Sequence, residues 1–228
     1  MPLHNRVTPR GDLIAVPARG ALMGNRGRLH DAGTRIVRRQ VFSYRAWVTC
    51  LLAFKGRRRT LMTPGRYTEL FFLDEATALA AGHRPCGECR RPDFRRFKTA
   101  WLAANPERGL AAPVPIGAID RELHRDRLTA EGLQRTFLGR IAALPDGVFV
   151  ASRGGDAPLL IWRGALWPWS PEAYGDPEAK PEDNVVTVLT PRSTVNAIAA
   201  GYTPHVHESA RRAGPGEHGA RSGSDERP

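Results

Sequence analysis

The stretch FFLDEATALAAGHRPCGECRR, residues 71–91, carries the clearest structural signals in the chain. Its aromatic and apolar beginning indicates the end of a strand. Asp74 is a favoured helix N-cap and Gly82 a favoured residue just beyond a helix end, so residues 75–81 are predicted to form a short helix. The stretch therefore predicts a strand, a short helix and then a turn that contains two cysteines.

Cys86 and Cys89 form a C-x-x-C pair with a glycine between them. Two thiolates at this spacing can face one ion, and such a pair is the usual half of a structural zinc site. The neighbouring Arg84, Arg90 and Arg91 favour the thiolate form. No thioredoxin-like β-α-β pattern surrounds the pair, so zinc is favoured over a redox pair or two unliganded thiols.

The order of an aromatic strand end, an alanine-rich helix and Ala-Gly-His-Arg-Pro-Cys-x-x-Cys resembles the second half of the metal-binding domain of the Ada DNA-repair family. The likeness is close over residues 71–89 and extends loosely to a β-hairpin predicted before the helix. It implies one zinc held by four cysteines, in a C-x-x-x-C pair followed by this C-x-x-C pair. It also implies a cysteine of the first pair that accepts a methyl group from methylated DNA phosphotriesters.

Cys50 is the one cysteine that precedes this pair, so the first pair of the family is incomplete here. Cys50 lies in a predicted strand, where it is either a third metal ligand or a thiol of the apolar core. A fourth ligand must then come from His83 beside the pair, from another side chain or from water. The other side chains considered are His124, His30 and Glu88. An open fourth position would be typical of a catalytic zinc site.

Signals outside this stretch predict an α+β protein, in which helices and an antiparallel β-meander follow a β-hairpin–helix module. The hairpin would join a strand that ends near residue 54 to a second one at 60–62. The other predicted elements are helices at 92–104, 116–127, 131–144 and 193–200, meander strands at 148–151, 159–162 and 165–169, and a strand at 185–189.

Four parts of the chain are predicted on this basis. They are an irregular basic arm at 1–35, an Ada-like zinc-binding module at 36–104, a helical and β-meander region at 105–204, and a disordered tail at 205–228. Glycines and prolines interrupt any regular period in the arm, where the one strand considered is a short one at residues 13–16, and the tail is polar.

The net charge of +11 comes entirely from residues 1–60, which hold 13 basic and 2 acidic side chains. The rest of the chain holds 21 of each sign. A localised excess of positive charge attracts polyanions, so nucleic acid is the predicted partner. A coding bias toward arginine is the alternative, although it does not explain the missing acids.

Six arginines are the predicted phosphate contacts. Three lie in the predicted hairpin turn and three on the helix after the cysteine pair: Arg57, Arg58, Arg59, Arg91, Arg95 and Arg96. The alternative for each is a solvated surface position. Asp120 and His124, four residues apart on one predicted helix, are either a carboxylate–histidine pair or a solvated helix pair.

Several classes of protein are disfavoured. No apolar run approaches the about 18–20 residues that a membrane span needs. The first residues contain no continuous apolar region, so no secretory signal is expected and the protein is predicted to be cytoplasmic. P-loop, dinucleotide-binding, nucleophile-elbow and H-E-x-x-H motifs do not occur in the sequence.

The sequence therefore predicts a zinc-binding protein that binds DNA or RNA through a basic N-terminal face. The first alternative is an enzyme that acts on nucleic acid through its metal or a reactive cysteine. The second is a structural zinc module that serves protein partners. No feature of the sequence indicates the oligomeric state.

Overall fold

A computed structural model describes residues 1–31, 42–57, 60–151 and 157–211 of the 228-residue chain. These residues form four α-helices and two six-stranded β-sheets. The predicted α+β class is confirmed, while the zinc-binding module within it stays a prediction.

The first sheet uses short strands from the first 85 residues. In chain order they are β1 (His4–Val7), β2 (Leu13–Ala15), β3 (Leu22–Asn25), β4 (Val48–Leu51), β5 (Leu70–Phe72) and β6 (Arg84–Pro85). Their order across the sheet is β2-β1-β5-β3-β4-β6. The β1–β5 and β4–β6 pairs are parallel, and the other pairs are antiparallel.

The segment predicted to be an irregular basic arm, residues 1–35, supplies β1, β2 and β3. β2 coincides with the short strand considered at residues 13–16, whereas β1 and β3 were not predicted. Each of these strands is only three or four residues long, too short to establish a visible alternation of apolar and polar residues. The prolines and glycines that suggested irregular structure lie mostly between the strands. The basic segment is therefore part of the sheet that contains Cys50.

Strand β4 does not form the predicted hairpin. Residues 61–62 lie in a turn and residue 60 is irregular, and the neighbours of β4 are β3 and β6. Gly24 permits the approach of β3, because a Cβ at this position would lie 2.2 Å from the carbonyl oxygen of Val48. Pairing between segments so far apart leaves no local pattern in the sequence.

The second sheet is entirely antiparallel, in the order β11-β10-β9-β8-β12-β7. Its strands are β7 (Phe137–Arg140), β8 (Phe149–Ala151), β9 (Pro158–Trp162), β10 (Ala165–Pro168), β11 (Glu178–Ala179) and β12 (Val185–Val188). Consecutive pairing of β8, β9 and β10 confirms the predicted meander.

The helix predicted at residues 131–144 is wrong. The segment contains β7 and a 3-10 turn, Ile141–Ala143. The apolar residues fit a helical spacing, yet Leu133 is 67% exposed while Ile141 is fully buried. Pairing of β7 with β12 overrides the local pattern, because tertiary context routinely decides short apolar segments.

The four helices coincide with predicted ones. They are α1 (Glu75–Ala80), α2 (Arg91–Ala104), α3 (Ile116–Arg127) and α4 (Arg192–Ala199). The predicted stripe of α2 is buried through Phe97 and Trp101, while Phe94 is half-buried. Across the described ranges, no helix has the length and apolar character needed to span a membrane.

Helix α1 lies between the two sheets, and all of its residues are buried. Ala78 packs with Leu70 of the first sheet, whereas Ala76 and Ala80 pack with Phe149 of the second sheet. Short alanine side chains allow both sheets to approach the same helix. The segment that leads to the cysteine pair is therefore fixed between two cores.

The chain remains packed against the molecule as far as residue 210. The Glu75 carboxylate accepts a hydrogen bond from the His205 backbone N–H at 3.0 Å, and Asp74 accepts one from His207 at 2.9 Å. Ala210 is 1% exposed. Residues 205–211, assigned to a disordered tail from their polarity, thus belong to the fold because two buried carboxylates hold them. Residues 212–228 lie outside the described part.

Candidate metal centre

The parallel pairing of β4 and β6 brings the three cysteines together. Thr49 is opposite Pro85, and the backbone N–H of Cys86 donates to the Thr49 carbonyl at 2.9 Å. Cys50 and Cys86 are the next residues along their segments, so they become neighbours. The third cysteine, Cys89, follows in the turn that ends where α2 begins.

The turn orients Cys86 and Cys89 toward Cys50. Its backbone is closed by the Arg90 N–H, which donates to the Cys86 carbonyl at 3.2 Å, and by the Glu88 N–H, which donates to Cys86 Sγ at 3.4 Å. The three Sγ atoms all lie within 4.8 Å of one another. Cys50 is buried and the other two thiols are half-buried, so the group is close enough to bind one metal ion near the surface.

Cys86 is the most acidic thiol of the three. A hydrogen bond from Cys50 lowers the pKa of Cys86 to about 5. The same contact, followed by burial, raises the pKa of Cys50, and burial raises the pKa of Cys89. Metal ligands bind as thiolates, so a bound cation would displace any proton that the three thiols still carry.

Arg90 fixes the start of α2 beside the cysteines. Its Nη2 is 2.8 Å from a carboxylate oxygen of Glu75 and 2.8 Å from one of Asp93, and its Nη1 donates to Thr49 Oγ1 at 2.9 Å. The Arg90 side chain is 2% exposed. The sequence indicated only that Arg90 favours thiolates, because its buried partners come from α1 and β4.

His83 is not part of the thiol group. Its ring lies against Trp47 and Phe72, with ring centres 5.1 and 4.7 Å away. Its Nε2 accepts a hydrogen bond from Arg26 Nε at 3.3 Å. Burial, followed by the charges of Arg26 and Arg127, holds the pKa of His83 well below its usual value.

The other side chains considered as a fourth ligand have different partners. His30 contacts the Thr68 hydroxyl through Nδ1 at 2.8 Å, and His124 Nδ1 is 2.9 Å from Arg127 Nη2. The Glu88 carboxylate forms an ion pair with Arg57. Within residues 1–31, 42–57, 60–151 and 157–211, the ligand group consists of the three thiols and no fourth side chain.

Asp120 and His124, considered either as a carboxylate–histidine pair or as a solvated helix pair, each have an arginine partner instead. Both oxygens of Asp120 accept hydrogen bonds from Arg84, from Nε and Nη2, each at 2.7 Å. This ion pair is buried, with side-chain exposures of 6% and 7%. Because Arg84 comes two residues before Cys86, the pair holds β6 against α3.

The predicted phosphate-binding arginines fall into three groups. Arg91 and Arg95 are exposed on α2. Arg57 and Arg96 are also exposed, but Arg57 is paired with Glu88 and Arg96 with Asp93. The remaining two, Arg58 and Arg59, lie outside the described residues.

Three thiols can donate three soft ligands to one ion and leave a further coordination position for a small molecule. No protein-family model, curated protein or solved structure matches this chain. The likeness to the Ada family therefore stays a prediction, and the metal centre is supported by its geometry alone.

Proposed function

We propose that this chain is a zinc protein that binds nucleic acid, with the ion held by Cys50, Cys86 and Cys89. The distances among the three Sγ atoms, all within 4.8 Å, are the observation that carries the proposal. A tetrahedral zinc with bonds of about 2.3 Å places its sulfur ligands about 3.8 Å apart. Only small side-chain adjustments are therefore needed for all three thiolates to bind one ion.

The donor set favours zinc among the common metals. Thiolates select soft or borderline ions, whereas magnesium and calcium require oxygen ligands. Amide N–H groups of the turn, such as that of Glu88, stabilise a thiolate. Zinc would link β4 to the start of α2 and so stabilise the first sheet.

The proposed nucleic-acid partner is supported by the charge distribution. The first 60 residues carry the whole net charge of +11, and several of their basic side chains are exposed. These are Arg19, Arg28, Arg45, Lys55 and Arg57. They come from the segment that supplies β1 to β4 of the first sheet, which contains Cys50. The likeness to a DNA-repair family also supports a nucleic-acid partner.

Metal analysis of the purified chain tests the zinc assignment. We expect about one zinc per chain, lost in Cys86→Ser and Cys89→Ser together with a lower melting temperature. Glu88→Gln is the matched control, because Glu88 lies in the same turn but outside the thiol group. A metal-free wild type, or cysteine variants that retain full zinc, would contradict the proposal.

An enzyme is the second candidate function, since three protein ligands leave a position at which water can bind and be activated. Cobalt substitution separates the two functions. Anions that change the visible spectrum of the cobalt protein would indicate an open position, and turnover of an oligonucleotide substrate would then establish catalysis. An unresponsive spectrum without turnover indicates a structural ion.

A further inference from the structure

Two arginines from different elements lie against one buried tryptophan. The Cζ atom of Arg26, just after β3, is 4.2 Å from the centre of the Trp47 ring, and that of Arg127, at the end of α3, is 3.9 Å from it. The two guanidinium carbons are therefore at most about 8 Å apart. Arg26 is 1% exposed, and Arg127 and Trp47 are 2% exposed.

The hydrogen-bond partners of Arg26 are all neutral. Its Nη1 donates to the Gly11 carbonyl at 2.9 Å and its Nε to His83 Nε2 at 3.3 Å. Its Nη2 is buried and has no hydrogen-bond partner. Because His83 accepts from Arg26 and has a strongly lowered pKa, its ring is neutral.

Arg127 has the same kind of surroundings. Its Nη1 donates to the Gly82 carbonyl at 2.8 Å, and its Nη2 contacts the Arg45 carbonyl at 2.6 Å and His124 Nδ1 at 2.9 Å. Its buried Nε has no partner. Gly82 makes room for the Arg127 stem, since a Cβ there would lie 2.6 Å from Arg127 Cδ.

No carboxylate neutralises this pair among the residues that the structure describes. Neither arginine forms an ion pair with a described residue. Asp12, whose charge acts on Arg26, is exposed and bonded to Thr8. Asp120, whose charge acts on Arg127, is bound to Arg84. Residues 32–41, which precede Trp47 in the sequence, contain no aspartate or glutamate. Two positive charges are thus buried in one cluster, and no carboxylate of the described residues is in contact with either of them.

Such a cluster is unfavourable unless an anion joins it. Burial lowers the pKa of Arg26 to about 9. Burial, followed by the charge of Arg26, lowers the pKa of Arg127 to about 8. Both side chains are therefore protonated at neutral pH. An uncompensated buried charge costs far more free energy than a paired one. Both unpaired atoms are N–H donors, so the missing partner is an acceptor with negative charge.

We propose that Arg26 and Arg127, at the Trp47 ring, bind the phosphate group of a ligand. A phosphate dianion offsets both charges, whereas a carboxylate offsets one, and guanidinium groups match phosphate oxygens in geometry. The partly exposed rings of Phe42 and His124, with ring centres 4.5 Å apart, flank Trp47 and form the side of the cluster nearest to solvent. The phosphate is either free or part of a nucleic-acid backbone.

Thermal unfolding in increasing inorganic phosphate, at constant ionic strength with chloride, tests this site. We expect phosphate to raise the melting temperature of the wild type, because a ligand of the folded state stabilises it. Arg26→Met and Arg127→Met should lose the response and, without phosphate, unfold no lower than the wild type. Arg121→Met, on the exposed side of α3, is the matched control and should keep the response.

A short single-stranded oligonucleotide without terminal phosphate separates the two sources. Stabilisation by the oligonucleotide alone, lost in Arg26→Met, assigns the site to a nucleic-acid backbone. Stabilisation by inorganic phosphate assigns it to a free phosphate group. A wild type that responds to neither, or methionine variants that respond as strongly as the wild type, would overturn the proposal.

A conservative variant covers the case in which the methionine variants do not fold. Arg26→Lys keeps the charge but loses the planar fork, and we expect phosphate binding to weaken about tenfold in phosphorus NMR titrations. Unchanged binding in Arg26→Lys would also overturn the proposal. Because these measurements need no metal, Cys86→Ser should retain the phosphate response even if the zinc assignment fails.

Discussion

Cys50 and Cys86 are neighbours although 35 residues lie between them in the sequence. Thr49 of β4 is opposite Pro85 of the parallel strand β6, and each cysteine is the next residue along the chain. The hydrogen bond from the Cys86 N–H to the Thr49 carbonyl, 2.9 Å long, fixes this register. The proposed ion would therefore join segments that meet only in the folded sheet. Metal binding at such a site is coupled to the folding of the whole sheet.

The role of Cys50 can be tested by substitution. We expect Cys50→Ser to lose zinc and to lower the melting temperature as Cys86→Ser does, because either change leaves two protein ligands. Leu51→Ala, at an exposed position of the same strand, should retain the metal. Full zinc content in Cys50→Ser, measured by metal analysis, would instead identify Cys50 as a thiol of the core.

Two of the three proposed ligands, Cys86 and Cys89, have a clear physical basis in the sequence. Cys86 and Cys89 share one turn, so their spacing alone indicates that both can face one ion. The sequence could not assign Cys50 as a ligand in the same way, because Cys50 lies beside Cys86 only through the pairing of β4 with β6. His83, adjacent in sequence, is directed into an aromatic and arginine cluster instead.

The ion pair of Arg84 and Asp120 should be important for stability. The two side chains are joined by two hydrogen bonds of 2.7 Å and are nearly inaccessible to solvent. Asp120→Ala leaves a buried guanidinium unpaired, so we expect a loss of about 3–5 kcal/mol in urea unfolding. Arg140→Ala breaks the exposed pair with Asp183 and should cost about 0–1 kcal/mol. Similar costs for the two variants would contradict this prediction.

His124 should make the protein less stable in mild acid. Burial, followed by the charges of Arg127 and Arg45, lowers the pKa of His124 to about 4. An unfolded histidine titrates near about 6.5, so between these values the unfolded state binds a proton that the folded state excludes. Stability is therefore lost as the pH falls through this range.

His124→Asn removes this titration but keeps an acceptor near Arg127. We expect its melting temperature to fall less than that of the wild type between about pH 7.5 and pH 4.5. Circular dichroism melts at both pH values check the difference. Equal losses in the two proteins would show that His124 does not contribute to the acid sensitivity.

The elements that the sequence missed are those whose partners are distant. Strands β1 and β3 are too short for a visible period, and β7 carries a helix-like spacing that its pairing with β12 overrides. The four helices of the structure were predicted because each has a signal within its own segment. Asp74, for example, caps α1 by accepting the Thr77 N–H at 2.8 Å.

The arginines at 57–59 provide one test of nucleic-acid binding. If the predicted turn binds phosphates, replacing all three by alanine should reduce the slope of log affinity against log salt by about 1 for each phosphate that the variant no longer binds. Arg57 is already paired with Glu88, so its contribution requires that pair to open. An unchanged slope in anisotropy titrations would remove this turn from the binding surface.

The arginines of α2 provide an independent test, because Arg91 and Arg95 are exposed while the neighbouring Arg96 is paired with Asp93. Affinity for duplex and single-stranded oligonucleotides should fall steeply with salt, since phosphate contacts release counterions. We expect the double variant Arg91→Ala, Arg95→Ala to lower the salt slope by about 2. Arg140→Ala, on the second sheet, should leave the slope unchanged. A wild type that binds neither oligonucleotide at low salt would exclude nucleic acid as the partner, and an acidic protein surface would then be the polyanion that fits the same charge.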